Sequence, residues 1–155
     1  MPAFEMSTFE IFIRLLAATV AGGAIGLNRD LHEKPTGVRT LGLVALGSAV
    51  AVMAAASIGG PGDATRAIQG IVTGIGFLGA GVIMRPAAGF HIHGLTTAAC
   101  TWLTACMGIV CAVAEWRLLV VAALLTFVLL MWGGEFEKTL RHYYKPKADE
   151  PPSAD

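Results

Sequence analysis

The sequence predicts an all-α integral membrane protein with five transmembrane helices, the N-terminus outside and the C-terminus cytoplasmic. Three observations carry this. Of 155 residues, 55% are hydrophobic and only 14% charged, against about 25% charged in a soluble domain. The charges are excluded from five stretches, 11–27, 40–59, 67–84, 96–114 and 118–134, in which Arg14 is the single charged side chain. Between these stretches the basic residues are distributed unevenly. Arg29, Lys34, Arg39, Arg85, Lys138, Arg141, Lys145 and Lys147 fall on one side, and Arg66 and Arg117 on the other. The richer side faces the cytoplasm.

Composition also excludes several classes. Eleven basic and eleven acidic side chains give a net charge of +0, so the basic excess that a nucleic-acid partner requires is missing. Low charge with many apolar residues excludes a disordered chain. Three cysteines with no CxxC pair exclude a disulfide framework and a zinc ribbon. The expected domains are a transmembrane domain, 1–134, and a cytoplasmic tail, 135–155.

Lipid offers the backbone no hydrogen bonds, so each uncharged stretch must be helical. Crossing takes about 20 residues at about 1.5 Å each. Span one, 11–27, follows ten residues that hold Glu5 and Glu10 but no Lys or Arg. That is the wrong sign for a signal peptide, and the span is expected to be retained. It holds Gly22-x-x-x-Gly26, a helix-packing motif. Arg14 lies three residues inside it and is expected to snorkel to the outer interface. The loop 28–39 mixes both signs and fits either an ordinary cytoplasmic connection or a partner-binding one. Span two follows, 40–59.

Span three, 67–84, is the glycine-rich one. Gly74-x-Gly76-x-x-Gly79 is formally a dinucleotide fingerprint, but no acidic residue occurs between Asp63 and Glu115, where the fingerprint needs one about 20 positions on. Packing explains the pattern better. Gly70, Gly74 and Gly81 share one helical stripe, with Gly76 and Gly79 opposite, so span three is expected to be sandwiched at the bundle centre. His91-x-His93 in the next loop has no third metal ligand nearby in sequence and is expected to be solvated.

Span four, 96–114, carries Thr97, Thr101, Thr104 and Gly108 on one stripe. The hydroxyls either line a polar path or bond helix carbonyls and neighbouring helices. Cys100, Cys106 and Cys111 are expected to pack as small apolar residues. Glu115-Trp116-Arg117 separates spans four and five, and Trp116 and Trp132 bracket span five as interfacial aromatics. In 135–145, Phe136, Leu140 and Tyr143 share one face opposite Lys138, Arg141 and Lys145. Either a surface helix on the inner leaflet or an extension of span five gives this pattern. The last nine residues are Pro-rich and polar, as in a disordered tail.

Several motifs occur together in order: Gly26-Leu27-x-Arg29, Lys34-Pro35-x-Gly37-Val38-Arg39-Thr40, Asp63-x-x-Arg66, Ile75-Gly76-Phe77-Leu78-Gly79-Ala80-Gly81-Val82-Ile83 and Gly94-Leu95-Thr96-Thr97-Ala98-Ala99. In these the chain resembles the MgtC/SapB family of bacterial membrane proteins, over about residues 12–132. The resemblance implies a multi-pass protein of the bacterial inner (plasma) membrane, linked to growth at low magnesium and, in pathogens, to survival in macrophages. It implies ATP synthase as a partner that the protein inhibits, and Arg29, Arg39, Thr40, Asp63, Arg66, Thr96 and Thr97 as the polar positions of interest. Asn28 stands where the family usually has Glu, and His93 where it often has Arg. The tail is too short for the soluble C-terminal domain of many members.

Three function classes follow. A non-catalytic regulator docks on other membrane proteins, in the lipid bilayer, as a monomer or homo-oligomer. A magnesium or other cation transporter needs oxygen ligands, usually carboxylates, and none of the five spans contains Asp or Glu. An enzyme needs an acid/base pair or an activated nucleophile, which Thr, Ser and Cys do not supply alone. The expectation is a regulator, not an enzyme, with no cofactor and no assigned metal site.

Overall fold

The computed structural model describes residues 6–59, 61–83 and 94–143, the side chains of 61 and 135–143 excepted. Among the described residues there are five α-helices and no strand: α1 (Thr8–Leu31), α2 (Val38–Gly59), α3 (Pro61–Val82), α4 (Leu95–Ala112) and α5 (Trp116–Tyr143). His91, His93, Arg85 and the tail after Tyr143 lie outside the described residues.

Helices α1, α2 and α4, and the 116–134 part of α5, are long and apolar enough to cross a membrane. The fold is therefore that of an all-α, multi-pass membrane protein. With 22 residues, α3 is about 33 Å long at about 1.5 Å per residue. It departs from the others because its first turns hold Asp63 and Arg66 and its remainder is rich in glycine.

The chain forms two compact units, 1–123 and 124–155. The first holds α1–α4 and the opening turns of α5. The second, where described, is the remaining α-helix of α5. The backbone of α5 is helical without a break through Tyr143, so residues 135–143 continue the helix of span five.

Helix ends follow local chemistry more than apolarity. Ser7 caps α1, its hydroxyl accepting from the Glu10 N–H at 3.2 Å, which starts the helix three residues before the uncharged stretch. At its other end α1 runs past Arg29, a cation in a last turn, where the helix dipole favours it. Between α4 and α5 the helix is broken at 113–115, where Ala114 takes φ 57, and α5 starts at Trp116, inside the interruption expected at 115–117.

The first unit is held by small residues. Ala18, Ala45, Ala49 and Ala105 are completely buried. A Cβ placed on Gly22 of α1 would fall 2.5 Å from the Leu41 carbonyl oxygen and 2.8 Å from the Ala45 Cβ. A Cβ on Gly26 would fall 2.6 Å from the Val38 backbone. A Cβ on Gly108 of α4 would also overlap the Ala45 carbonyl. Helix backbones thus meet without intervening side chains, the arrangement that lets dispersion hold helices together in lipid.

Two helices, α2 and α4, each pack on three others, α1, α3 and one another included, whereas α1 and α3 do not touch. This corrects the expectation for span three. Among the described residues nothing lies within 4 Å of a Cβ on Gly70, Gly74, Gly76 or Gly81, and Gly79 meets only Ala98, at 3.6 Å. Glycine spacing permits a close approach but does not create one. The close approaches are made by Gly22, Gly26 and Gly108.

Candidate functional site

The residue pairs across the bundle fix helix directions. Gly26 lies on Val38 and Gly22 on Leu41, so α1 and α2 are antiparallel. Arg29 meets Thr97 and Arg14 meets Ala112, so α1 and α4 are antiparallel too. The end of α1, the start of α2, the end of α3 and the start of α4 therefore form one end of the first unit.

Most of the polar motif residues converge there. Arg29 is buried, 6% exposed, and donates through Nη2 to the Thr97 hydroxyl at 2.5 Å. Its Nε has no hydrogen-bond partner among the described residues. Beside it, the Asp30 carboxylate turns back and accepts the Val38 N–H at 2.9 Å, which satisfies a free donor in the first turn of α2. Gly37 is pressed against that carboxylate, so closely that a Cβ there would overlap it. Asp30 thus ties the ends of the 32–37 loop together. Within the loop, Glu33 takes φ 52 and Thr36 φ 64, a left-handed conformation that is an outlier for a β-branched residue.

Gly94 starts α4 with φ 94, and a Cβ there would overlap the Val82 carbonyl. Only glycine meets both conditions. Thr96 is exposed at the same end. Arg39 and Thr40, in the opening of α2, are also exposed, and their side chains make no hydrogen bond or ion pair with described residues.

Asp63 and Arg66 lie at the opposite end. They pair at 3.1 Å on the surface of the first turns of α3, and the Asp63 carboxylate covers Gly59, where a Cβ would overlap it. Arg14 is at that end as well, and its placement corrects the snorkelling expectation. It is 8% exposed, donates through Nη1 to the Ala112 carbonyl at 2.5 Å and pairs with Glu10. Ala112 closes α4, so a cation there meets the negative end of the helix dipole. Glu10 lies four residues away in sequence, but the Ala112 acceptor lies 98 residues away.

The threonine stripe is hydrogen-bonded within the bundle. Thr101 donates to the Thr97 carbonyl at 2.9 Å and Thr104 to the Cys100 carbonyl at 2.7 Å, and both are buried. Cys100 and Cys111 are buried among the same helices. Among the described residues no three His, Cys, Asp or Glu side chains come together as a metal site would need.

A sequence profile of the MgtC family matches residues 15–139. The chain belongs to the MgtC family. Protein SrpB of Synechococcus elongatus is 40% identical over 131 residues, 76% of this chain and 71% of that protein. Protein MgtC of Salmonella typhimurium is 40% identical over 113 residues, 73% of this chain and 48% of that protein. Protein MgtC of Brucella abortus is 42% identical over 97 residues, 63% of this chain and 40% of that protein. The chain thus spans about half the length, or less, of the MgtC relatives it matches. No solved structure matches it significantly. The MgtC family match includes four motif blocks that build one end of the bundle, with Asp63-x-x-Arg66 at the other.

Proposed function

We propose that the chain is a non-catalytic regulator in the bacterial inner membrane, acting by docking on other membrane proteins during adaptation to low magnesium. ATP synthase is the partner suggested by the family resemblance, and survival within macrophages is the setting suggested for pathogenic relatives. The observation that carries this reading is the convergence of motif residues at one end of the bundle. They brace a short charged loop rather than surround a reactive centre. Arg29–Thr97 and Asp30–Val38 hold the loop's base, while Glu33 and Lys34 stand exposed and Thr36 is held in a strained conformation. Strained backbone clusters at binding and switch sites.

Transport of magnesium is less well supported. A hard cation needs a cage of oxygens, and the Thr101 and Thr104 hydroxyls are engaged with carbonyls of their own helix. The test of docking is ATP-driven proton pumping in inverted vesicles containing ATP synthase, with and without the co-reconstituted protein. Pumping should fall with the wild-type protein and recover with Lys34→Glu. Unchanged pumping would contradict ATP synthase as partner. Failure to crosslink any membrane protein in cells through a photoreactive residue at position 33 or 34 would contradict docking itself.

A further inference from the structure

Helices α2 and α3 do not close against one another along their whole length. Between them, near the end that carries the loop, runs an open groove of about 720 Å³, within the range of small-molecule sites, about 300–1,000 Å³. Its cause is legible residue by residue. Gly47 on α2 and Gly74 on α3 have nothing within 4 Å of where a Cβ would stand, so neither helix projects a side chain into the space. Leu43 and Leu78 form exposed walls, and Ile75 is buried at the base. Ser48 adds no free polar group, because its hydroxyl donates to the Val44 carbonyl at 2.9 Å. The interior is apolar and the mouth is not, for Arg39 and Thr40 stand there.

The dimensions match one leaflet. From Arg39 to Ser48 the groove follows nine residues of α2, about 13 Å at about 1.5 Å per residue, against about 15 Å for half of a hydrocarbon core about 30 Å thick. A cation at the interfacial end and an apolar trough reaching the midplane complement a molecule with an anionic head and a hydrocarbon chain. Arg39 has no acid partner among the described residues, so its five donors are available to a phosphate, which a guanidinium binds in bidentate fashion.

We infer that the α2–α3 groove is a binding site for an anionic phospholipid, which lays one acyl chain between Leu43 and Leu78 and places its phosphate on Arg39 and Thr40. This goes beyond the docking reading and does not depend on it. Lipid in the groove fills the space that the glycines leave and fixes α3 against α2.

Native mass spectrometry of the detergent-purified full chain tests this, with phosphatidylglycerol and phosphatidylcholine of identical acyl chains added separately. The wild type should retain one phosphatidylglycerol per chain under activation that strips phosphatidylcholine. Arg39→Gln should weaken phosphatidylglycerol retention at least about tenfold and abolish the preference, while Arg117→Gln, an exposed arginine elsewhere, should not. Gly74→Leu and, independently, Gly47→Leu should reduce binding of both lipids with helical circular dichroism unchanged. Equal retention of the two lipids by the wild type overturns the proposal, as does an unaltered preference in Arg39→Gln. A lipid-free dimer whose assembly is broken by Gly74→Leu would give the groove to a second copy of the chain and overturn it too.

Discussion

Arg29 and Thr97, 68 residues apart in sequence, meet at 2.5 Å where α1 ends and α4 begins. The same two helices are joined at their other ends by Arg14 and the Ala112 carbonyl. The arginines are fifteen residues apart on α1, and their acceptors fifteen apart on α4, about 22 Å at about 1.5 Å per residue. Two guanidinium groups therefore fix the register of one antiparallel helix pair from both ends. Each is buried and each leaves its Nε without a partner among the described residues, so the acceptors they do have matter.

Thr97→Val removes the hydroxyl that accepts from Arg29 and keeps the shape. A buried donor left without an acceptor costs about 1–3 kcal/mol. The melting temperature in detergent should fall clearly, and Arg66→Ala, which breaks an exposed pair, should leave it nearly unchanged. Equal melting of the two variants would show that the buried pair is not a stabilising contact.

Gly22→Ala and Gly108→Ala each put a methyl against α2 at Ala45. Overpacking of this kind costs about 1–3 kcal/mol or more. Both should lose folded yield, whereas Gly74→Ala, with nothing within 4 Å, should fold as the wild type does. Monodisperse yield on size-exclusion chromatography reads this directly. Loss of Gly74→Ala alone would restore α3 to the centre.

These contrasts show what the sequence makes legible. Uncharged stretches located all five helices, because excluding charge is a property each segment has by itself. Gly22-x-x-x-Gly26 was recognisable as a packing site for the same reason, and its partner, α2, lies next in the chain. The stripe Gly70, Gly74 and Gly81 has equally good spacing, yet among the described residues no helix fills it, since spacing records opportunity and not contact. Arg14 was misjudged because its environment depends on Ala112, which only the folded chain brings near. The role of Gly108 was hidden in the threonine stripe, for its contact is with a backbone carbonyl, which no side-chain pattern reports.

Thr36→Gly should relieve the left-handed backbone of the loop. A β-branched residue at φ 64 costs about 1–2 kcal/mol relative to glycine, so the variant should melt higher. If the strain serves docking, it should also inhibit proton pumping less than the wild type. Lower stability of Thr36→Gly would mean that other contacts of Thr36 outweigh the backbone term.

Topology follows from α3. Single-cysteine reporters on a cysteine-free background at 62–66 and 115–117 should label from outside, and reporters at 85–95 and after 145 should not. If 62–66 and 85–95 label from the same side, α3 does not cross the membrane and the five-span arrangement fails.

The proposed regulator acts on other membrane proteins and carries no ion itself. Mg²⁺ dehydrates reluctantly, and threonine hydroxyls engaged with their own helix compensate poorly for a divalent charge in a low-dielectric medium. The direct measurement is Mg²⁺ entry into liposomes that enclose a Mg²⁺-sensitive dye and contain the purified protein, with and without an imposed membrane potential. The signal should equal that of empty liposomes. Saturable uptake that Thr101→Val abolishes would contradict this and make the threonine stripe an ion path.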